Sequence, residues 1–256
     1  MDIVLEDVTF GYDDTIVLHG IDLKLSNSGL ICIVGPNGVG KSTLVKCMNG
    51  LLKPRSGTVS INGRNIQGYE LKDLAKFMGF VPASSSDAFP MSVIESVMIG
   101  RHAHQKWRTS NHDMEMVFKS LRVMGIEGLS ERYTTELSAG QHQKVNLCRG
   151  LVQESSILIL DEPTSNLDVR HQLFVTELLQ AISMETGIMT IMISHDLNIA
   201  AKYADMVIVM NEPGRICCVG TPDEVITKEV IKRVYGVDCE VIRNGSRPHI
   251  MLKSVI

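Results

Sequence analysis

Residues 30–43 read LICIVGPNGVGKST, an apolar run that passes directly into a glycine-rich turn. The continuous apolar run predicts a strand buried on both faces, as in a parallel sheet. The residues after the turn, 42–50, predict a helix that ends at Gly50. A strand, a glycine-rich turn and a helix in this order predict a phosphate-binding loop, because glycines let backbone N–H groups converge on the phosphate oxygens.

The turn itself, GPNGVGKST (35–43), fits the spacing GxxxxGK[ST]. Lys41 is expected to place a positive charge at the β- and γ-phosphates, and the Ser42 hydroxyl to ligate Mg²⁺. The alternative is an ordinary strand–helix turn, but the strand before it and the helix after it favour a nucleotide site. The residues predicted to bind the nucleotide here are Gly35, Pro36, Asn37, Gly38, Val39, Gly40, Lys41, Ser42 and Thr43.

The sequence pattern predicts strands in some parts of the chain and helices in others. Apolar residues alternate in 3–25, which predicts an antiparallel pair of half-buried strands. Between 84 and 156, charged and methionine-rich segments with helical spacing replace the strands. Short apolar strands then return with helical segments between them, which indicates a mostly parallel sheet. These strands are ILIL (157–160), TIMIS (190–194) and MVIVM (206–210).

The predicted fold class is therefore α/β. We expect a P-loop nucleotidase core with a mostly parallel sheet, an N-terminal antiparallel β subdomain and an inserted α-helical subdomain. A single domain is expected over 1–256. Its α/β nucleotide-binding core is assigned to 1–83 and 157–256, and its helical subdomain to 84–156.

Charge and hydropathy argue against a nucleic-acid-binding, a secreted or a membrane-spanning protein. The net charge of −4 does not favour a nucleic-acid partner, because such proteins normally present a basic face. The first residues, MDIVLEDVTF (1–10), show neither a basic start nor a long apolar stretch, so no signal peptide is expected. The apolar runs are too short to cross a bilayer. We expect a soluble chain in which any membrane role requires a partner.

Two carboxylates follow the strand predicted at 157–160. In P-loop nucleotidases an acid at this place reaches the Mg²⁺ ion, usually through water, and Asp161 suits that role. Glu162 is placed to polarise an attacking water or to accept its proton. The alternative for Glu162 is a solvated turn residue.

Two further side chains are candidates for the same chemistry. His195 follows the strand at 190–194, where a neutral imidazole would hydrogen-bond the γ-phosphate and the attacking water together. Tyr12 lies 23 residues before Gly35, and its ring is expected to stack on the adenine. Taken alone, His195 would be a satisfied turn residue and Tyr12 an aromatic at a strand edge.

The motifs taken in order resemble the ATP-binding-cassette ATPase family over nearly the whole chain. The stretch LSAGQ resembles that family's LSGGQ signature, with Ala139 at a glycine position, a small residue that should be tolerated. The resemblance implies ATP and Mg²⁺ as cofactors. The segments that carry it are Tyr12, GPNGVGKST (35–43), LSAGQ (137–141), ILILDEP (157–163), SNLD (165–168) and SHD (194–196).

The resemblance also implies a homodimer with ATP sandwiched at the interface. In this family two subunits pack head to tail, and the signature of each covers the nucleotide held by the other. Ser138, Gly140 and Gln141 would then bind the γ-phosphate in trans, and Asp168 would lie along the dimer seam. Several charge-assisted hydrogen bonds across the seam, each contributing about 1.5–3 kcal/mol, would let ATP hold the dimer together.

One position departs from the family pattern. Where most relatives have a glutamine that contacts Mg²⁺ and water, directly after a Val-Pro pair, this chain has Ala83. Alanine neither ligates nor donates, so coupling through this loop is expected to be weaker and hydrolysis slower. Ser84, Ser85 and Asp87 are candidates to supply the missing polar group.

Two segments narrow the resemblance to ATPases that serve iron–siderophore, haem and vitamin B12 importers. VMIGRHAHQKW (97–107) resembles their GR-x-PH segment, and 235–252 resembles their C-terminal strand pair. The resemblance implies that 84–104 docks onto a membrane subunit. A metal site at His102 and His104 is the alternative, but their spacing is loose and no further ligand is near in sequence.

The implied function is to power import of such a substrate. The expected partners are integral membrane permease subunits, with a substrate-binding protein in the same system, and the expected location is the cytoplasmic face of the membrane. One alternative is a soluble, non-transport cassette ATPase, which would normally carry large insertions or a second cassette. The other is a regulatory nucleotide-binding module with weak turnover, against which Glu162 and His195 argue.

Overall fold

The computed structural model describes residues 1–26, 28–83, 90–104, 109–245 and 247–256. The chain divides into two compact units, Met1–Tyr69 with Thr176–Ile256, and Glu70–Val175. The predicted limits of the helical subdomain, 84 and 156, stay a prediction.

Strands and helices alternate through most of the described chain. The strands are β1 (Ile3–Tyr12), β2 (Thr15–Leu25), β3 (Gly29–Val34), β4 (Ser56–Ile61), β5 (Arg64–Asn65), β6 (Met78–Val81), β7 (Ile157–Leu160), β8 (Met189–Ile193), β9 (Met206–Asn211), β10 (Arg215–Gly220), β11 (Val237–Asn244) and β12 (Arg247–Val255). The α-helices are α1 (Lys41–Met48), α2 (Leu71–Phe77), α3 (Val93–Met98), α4 (Asn111–Val123), α5 (Ala139–Leu151), α6 (Val169–Thr186), α7 (Leu197–Tyr203), α8 (Pro222–Val225) and α9 (Lys228–Tyr235). Short 3₁₀ turns lie at Ile66–Gly68, Ile99–Arg101, Glu127–Leu129 and Thr134–Glu136.

An antiparallel sheet forms the N-terminal part of the first unit. Its strands lie in the order β2, β1, β4 and β5. Ile3, Leu5 and Val8 of β1 are buried, and residues between them are exposed or half-buried, because one face of the sheet packs on the core. The predicted antiparallel β subdomain is therefore confirmed.

A second group of strands in this unit is mostly parallel. β3 lies between β8 and β9 and runs parallel to both, and β10 adds antiparallel to β9. All positions of β3 and of β8 are buried, which explains why their sequences are apolar apart from Thr190 of β8. The predicted buried parallel strand at 30–34 is confirmed. At the C-terminus, where 235–252 resembles a strand pair, β11 pairs with β12, and the two strands are antiparallel.

The second unit is mostly helical in its described residues. α3, α4 and α5 pack on one another, and β6 runs parallel to β7. Ser110 begins α4 with a capping box, in which its hydroxyl accepts the Asp113 N–H and the Asp113 carboxylate accepts the Ser110 N–H. Val117 and Leu121 on the inner face of α4 are fully buried. The predicted helical insertion is confirmed.

A buried ion-pair network holds this helical unit together. Arg101 is only 3% exposed, and its Nε donates to Asp113 Oδ1 at 2.8 Å. Its Nη1 donates to the Val152 carbonyl at 2.6 Å and to Glu154 Oε2 at 2.5 Å. The Ser110 backbone N–H, the Arg101 guanidinium and the Ser110 hydroxyl all donate to the Asp113 carboxylate and lower its pKa to about 2.

We expect Asp113→Asn to lower the free energy of unfolding by about 3 kcal/mol at pH 7, because it leaves the buried Arg101 charge less neutralised. The pKa of Asp113 is lower in the folded chain than its usual 3.8, so its contribution is present above pH 3.8 and is lost as the pH falls toward about 2. Urea unfolding at several pH values measures both effects.

Glu127→Gln, in the exposed pair with Arg122, is the control and should lower the free energy of unfolding by less than about 1 kcal/mol. Equal losses for the two variants would contradict the network's role.

Candidate functional site

The phosphate loop lies between the end of β3 and the start of α1. Gly35 follows β3 with φ 155°, and a Cβ at this position would lie 2.6 Å from the Met210 carbonyl oxygen, so only glycine fits. Gly40 has φ 102° and forms the N-cap of α1. The loop therefore adopts a conformation that its glycines permit and that most side chains would prevent.

Lys41 lies along this loop. Its ammonium donates to the carbonyl oxygens of Gly35 and Pro36, both at 2.8 Å, and the residue is only 5% exposed. The N–H groups at the start of α1 lie at the positive end of the helix, and the first turn carries no acidic residue. A lysine charge, helix-start N–H groups and the Ser42 hydroxyl together fit a nucleotide phosphate with its Mg²⁺.

His195 lies at the same edge of the parallel strands as the phosphate loop. Ile33 of β3 is in register with Ile193 of β8, and the Ser194 N–H donates to the Ile33 carbonyl at 3.1 Å. His195 and Gly35 each come two residues after this paired position. His195 is exposed. The structure therefore brings the predicted histidine and the predicted loop to one sheet edge.

Tyr12 ends β1 and is 47% exposed. Its ring packs edge-on against Phe10, with centroids 5.0 Å apart and an interplanar angle of 84°. This contact fixes the ring at the strand end and leaves it accessible, as stacking on a base requires. The stacking itself stays a prediction.

The two acids follow β7 in the second unit. Asp161 is 5% exposed, and its N–H donates to the Val81 carbonyl at 2.8 Å, so strand β6 holds its backbone. Glu162 has φ 51°, a left-handed conformation that is uncommon outside glycine. Its carbonyl accepts the N–H and the hydroxyl of Ser165, at 3.2 and 3.1 Å. Such strained backbone is concentrated at functional sites, which supports the predicted role of Glu162.

The signature residues begin α5. The Ser138 hydroxyl accepts the Gln141 N–H at 3.3 Å, and Gln141 Oε1 accepts the Ser138 N–H at 3.0 Å. This reciprocal capping box fixes the start of the helix. A Cβ at Gly140 would make only ordinary contacts, the nearest with Leu167 Cδ2 at 3.6 Å. The capping box thus fixes the start of α5. Gly140 in its first turn has no side chain, so the backbone there is open to close approach.

A cavity of about 520 Å³ lies over this helix start. The Asp168 carboxylate accepts the His171 N–H and the proton on His171 Nδ1, each at 2.9 Å, and the backbone bond is the main cause of its lowered pKa. The structure therefore brings the signature and Asp168 together around one cavity. Residues that line it include Ser138, Gly140, Gln141, Lys144, Asp168 and His171.

Lys144 and His171 are cavity residues that the sequence reasoning missed. Lys144 lies four residues after Gly140 on α5, so helical periodicity places both on one face. That spacing is the signal that could have identified it. His171 follows Asp168 by three residues, which is the usual spacing for a side chain that caps a helix start.

A second cavity, about 490 Å³ and mainly apolar, lies beside the end of β6. We call this cavity the groove. Ala83 directly follows Pro82, which lines the groove. Ser84, Ser85 and Asp87, the candidates to replace the missing glutamine, lie outside the described residues. The predicted docking stretch 84–104 is described only from residue 90. Residues that line the groove include Pro82, Ile99, Gly100, His102, Arg149 and Gln153.

Within the described part of the chain, no helix is both long and apolar enough to cross a membrane.

The sequence matches a known protein family over more than half of its length. Residues 18–165 match the family described as ABC transporter. The chain is 41% identical over 237 residues to an uncharacterized ABC transporter ATP-binding protein of Methanocaldococcus jannaschii, which covers 93% of this chain and 92% of the relative. It is 36% identical over 241 residues to the ferric enterobactin transport ATP-binding protein FepC of Escherichia coli, covering 93% and 88%.

A solved structure shares the architecture as well as the sequence. The structure of cbiO1 from Clostridium perfringens, part of the ABC transporter complex cbiONQ, aligns with a TM-score of 0.76 and 34% identity. The alignment covers 90% of this chain and 92% of that one.

Proposed function

This chain belongs to the ATP-binding-cassette (ABC) transporter family as an ATP-hydrolysing subunit, and from that premise we propose that it powers import of an iron–siderophore, haem or cobalamin-type substrate. The substrate would pass through a separate membrane permease and would not touch this chain. Similarity along nearly the whole chain to a ferric enterobactin transport ATP-binding protein is the observation that carries this substrate class.

The nucleotide roles follow from the chemistry of each residue. Residues 35–43 bind the phosphates, with the Lys41 charge at the β- and γ-phosphates, and Tyr12 stacks on the adenine. Ser42 and Asp161 would hold Mg²⁺, and the ion would supply positive charge to the transferred phosphoryl group. Glu162 polarises the attacking water, and His195 hydrogen-bonds the γ-phosphate. The buried Lys41 contacts and the left-handed Glu162 backbone support these assignments.

A second copy of the chain completes each site in this proposal. Ser138, Gly140 and Gln141 of one copy bind the γ-phosphate held by the loop of the other, at the cavity over α5. Lys144 adds a cation to that cavity, which suits an anionic occupant. Asp168, whose carboxylate is fixed by His171, lies at the seam between copies. Hydrolysis removes the γ-phosphate and releases the grip of the partner.

The groove is the proposed docking surface for the permease. It is mainly apolar and carries a few polar groups, among them His102, Arg149 and Gln153. A short amphipathic helix of a membrane protein fits a surface of this composition. Docking there would hold the chain at the cytoplasmic face of the membrane, beside a system that includes a substrate-binding protein.

Purification of the tagged chain from its native membrane tests this proposal. We expect Mg²⁺-dependent ATP hydrolysis and co-purification of a membrane protein with several spans. Loading the purified complex into vesicles and following uptake of ferric siderophore, haem or cobalamin then identifies the substrate class. Hydrolysis by a chain that never associates with a membrane protein would favour the soluble, non-transport alternative.

We expect Ala83→Gln to raise ATP hydrolysis, or its stimulation by the membrane partner, by about two- to tenfold, the range of one well-placed hydrogen bond. Glutamine would restore a side chain able to contact Mg²⁺ and water. Phosphate release with and without the solubilised membrane partner measures both quantities. Ala83→Leu adds bulk without polar atoms and is the control. Equal rates for the two variants would show that the missing glutamine does not limit the enzyme.

A further inference from the structure

The residues that line one wall of the groove, 99–104, are tightly attached to the end of α5. A Cβ at Gly100 would clash with the Arg149 carbonyl oxygen and lie 2.7 Å from Val152 Cγ2, so backbone packs directly on backbone. Arg101 donates to the Val152 carbonyl at 2.6 Å. We call 99–104 the docking segment. Because both contacts are short and buried, a displacement of this segment moves the end of α5 with it.

Gln153 joins the docking segment to β6. Its carbonyl oxygen is 2.7 Å from His104 Nε2, and since a carbonyl only accepts, His104 donates from that nitrogen. Its side-chain Nε2 donates to the Ala75 carbonyl at 2.6 Å and to the Met78 carbonyl at 3.3 Å. Met78 is the first residue of β6. One residue therefore holds the docking segment through its main chain and the start of β6 through its side chain.

The other end of β6 holds the Mg²⁺ acid. The Val81 carbonyl accepts the Asp161 N–H at 2.8 Å. Gly150 of α5 packs so closely on Val81 that a Cβ there would overlap Val81 Cγ2. Two residues near the end of α5 thus contact β6: Gln153 meets the first strand residue, Met78, and Gly150 meets the last, Val81. Ser138 caps the other end of α5, about 20 Å away at 1.5 Å per residue, so the same helix also carries the signature.

We propose that Gln153 is a positioning residue that transmits the position of the docking segment to Asp161. The inference rests on the proposed function, because the docking segment lines the proposed permease surface. Ala83 has no polar side-chain atom, and the contacts of Gln153 with His104, Ala75 and Met78 form a polar route from groove to β6 that does not use residue 83. A permease that displaces the docking segment would act on the Mg²⁺ acid through this route.

A double-mutant cycle in the purified full-length chain tests the proposal, with His104→Ala as the probe that loosens the docking segment. In the wild-type background we expect His104→Ala to lower kcat by about two- to fivefold, with KM for ATP changed less than about 1.5-fold. In the Gln153→Met background, which removes the donor and keeps the side-chain length, the same probe should change kcat by less than about 1.5-fold.

Gln180→Met is the matched control, because Gln180 Nε2 also donates to a backbone carbonyl, that of Tyr203, at 2.8 Å. In that background His104→Ala should act as in the wild type. Equal effects of His104→Ala in the wild-type and Gln153→Met backgrounds, or none in the wild type, would overturn the proposal.

Exchange of the Asp161 amide proton gives a second readout that needs no turnover. His104→Ala should speed this exchange about two- to tenfold in the wild type and leave it unchanged in the Gln153→Met background. An identical increase in both backgrounds would overturn the positioning role. Absence of hydrolysis by the wild-type chain would instead contradict the proposed function, and the exchange measurement would still decide the role of Gln153.

Discussion

Glu162→Gln is expected to reduce ATP hydrolysis by about 10²–10⁴-fold, the usual contribution of a positioned general base. Glutamine keeps the size of the side chain but cannot accept a proton from water. Glu162 also has a left-handed backbone, φ 51°, whose carbonyl is held by Ser165, so the structure positions this residue at a conformational cost. Nucleotide affinity should stay within about twofold, because the phosphate-binding residues are unchanged. Phosphate release and nucleotide titration measure the two quantities separately.

Glu115→Gln is the control for this substitution, since Glu115 is an exposed residue on α4. It should leave turnover unchanged. If Glu162→Gln retained more than about a tenth of wild-type hydrolysis, Glu162 would not be the base, and His195 would become the next candidate to test.

Lys41→Ala is expected to weaken ATP binding by about 10- to 150-fold, the loss of one charge-assisted hydrogen bond of about 1.5–3 kcal/mol. The effect has a second source. The Lys41 ammonium also donates to the Gly35 and Pro36 carbonyls at 2.8 Å, so the variant loosens the loop itself. Titration with a fluorescent ATP analogue measures affinity, and phosphate release should fall in parallel.

Lys46→Ala is the matched control, because Lys46 lies in the last turn of the same helix. Its loss should change ATP affinity by less than about twofold. Similar losses for the two lysines would indicate a general effect of positive charge on nucleotide binding and would contradict a specific role for Lys41.

The nucleotide-binding core could be predicted from the sequence because its signals are local. The run at 30–34 becomes a fully buried strand since parallel strands lie on both sides of it. Gly35 and Gly40 adopt backbone conformations that their lack of a side chain permits. Ser138 and Gln141 form a capping box at a spacing that can be read directly from the sequence.

The links between elements could not be predicted, because they depend on contacts between residues far apart in sequence. Gln153 meets Ala75 and Met78, more than seventy residues earlier, and no sequence spacing indicates that meeting. Arg101 is likewise buried by partners that no sequence spacing indicates, since its guanidinium donates to Asp113 and to the Val152 carbonyl. The positive φ of Glu162 also arises from its surroundings, since glutamate does not favour it.

The central claim is that each copy of the chain supplies half of every ATP site. A mixing experiment with two impaired variants, at an ATP concentration well below the Kd of Lys41→Ala, tests it most directly. Lys41→Ala damages the phosphate loop, and Ser138→Arg damages the signature. In a head-to-tail dimer, a mixed pair contains one doubly damaged site and one intact site. An equal mixture should therefore recover up to about a quarter of wild-type hydrolysis, given that half of the pairs are mixed. A mixture no more active than the two variants measured separately would contradict the claim.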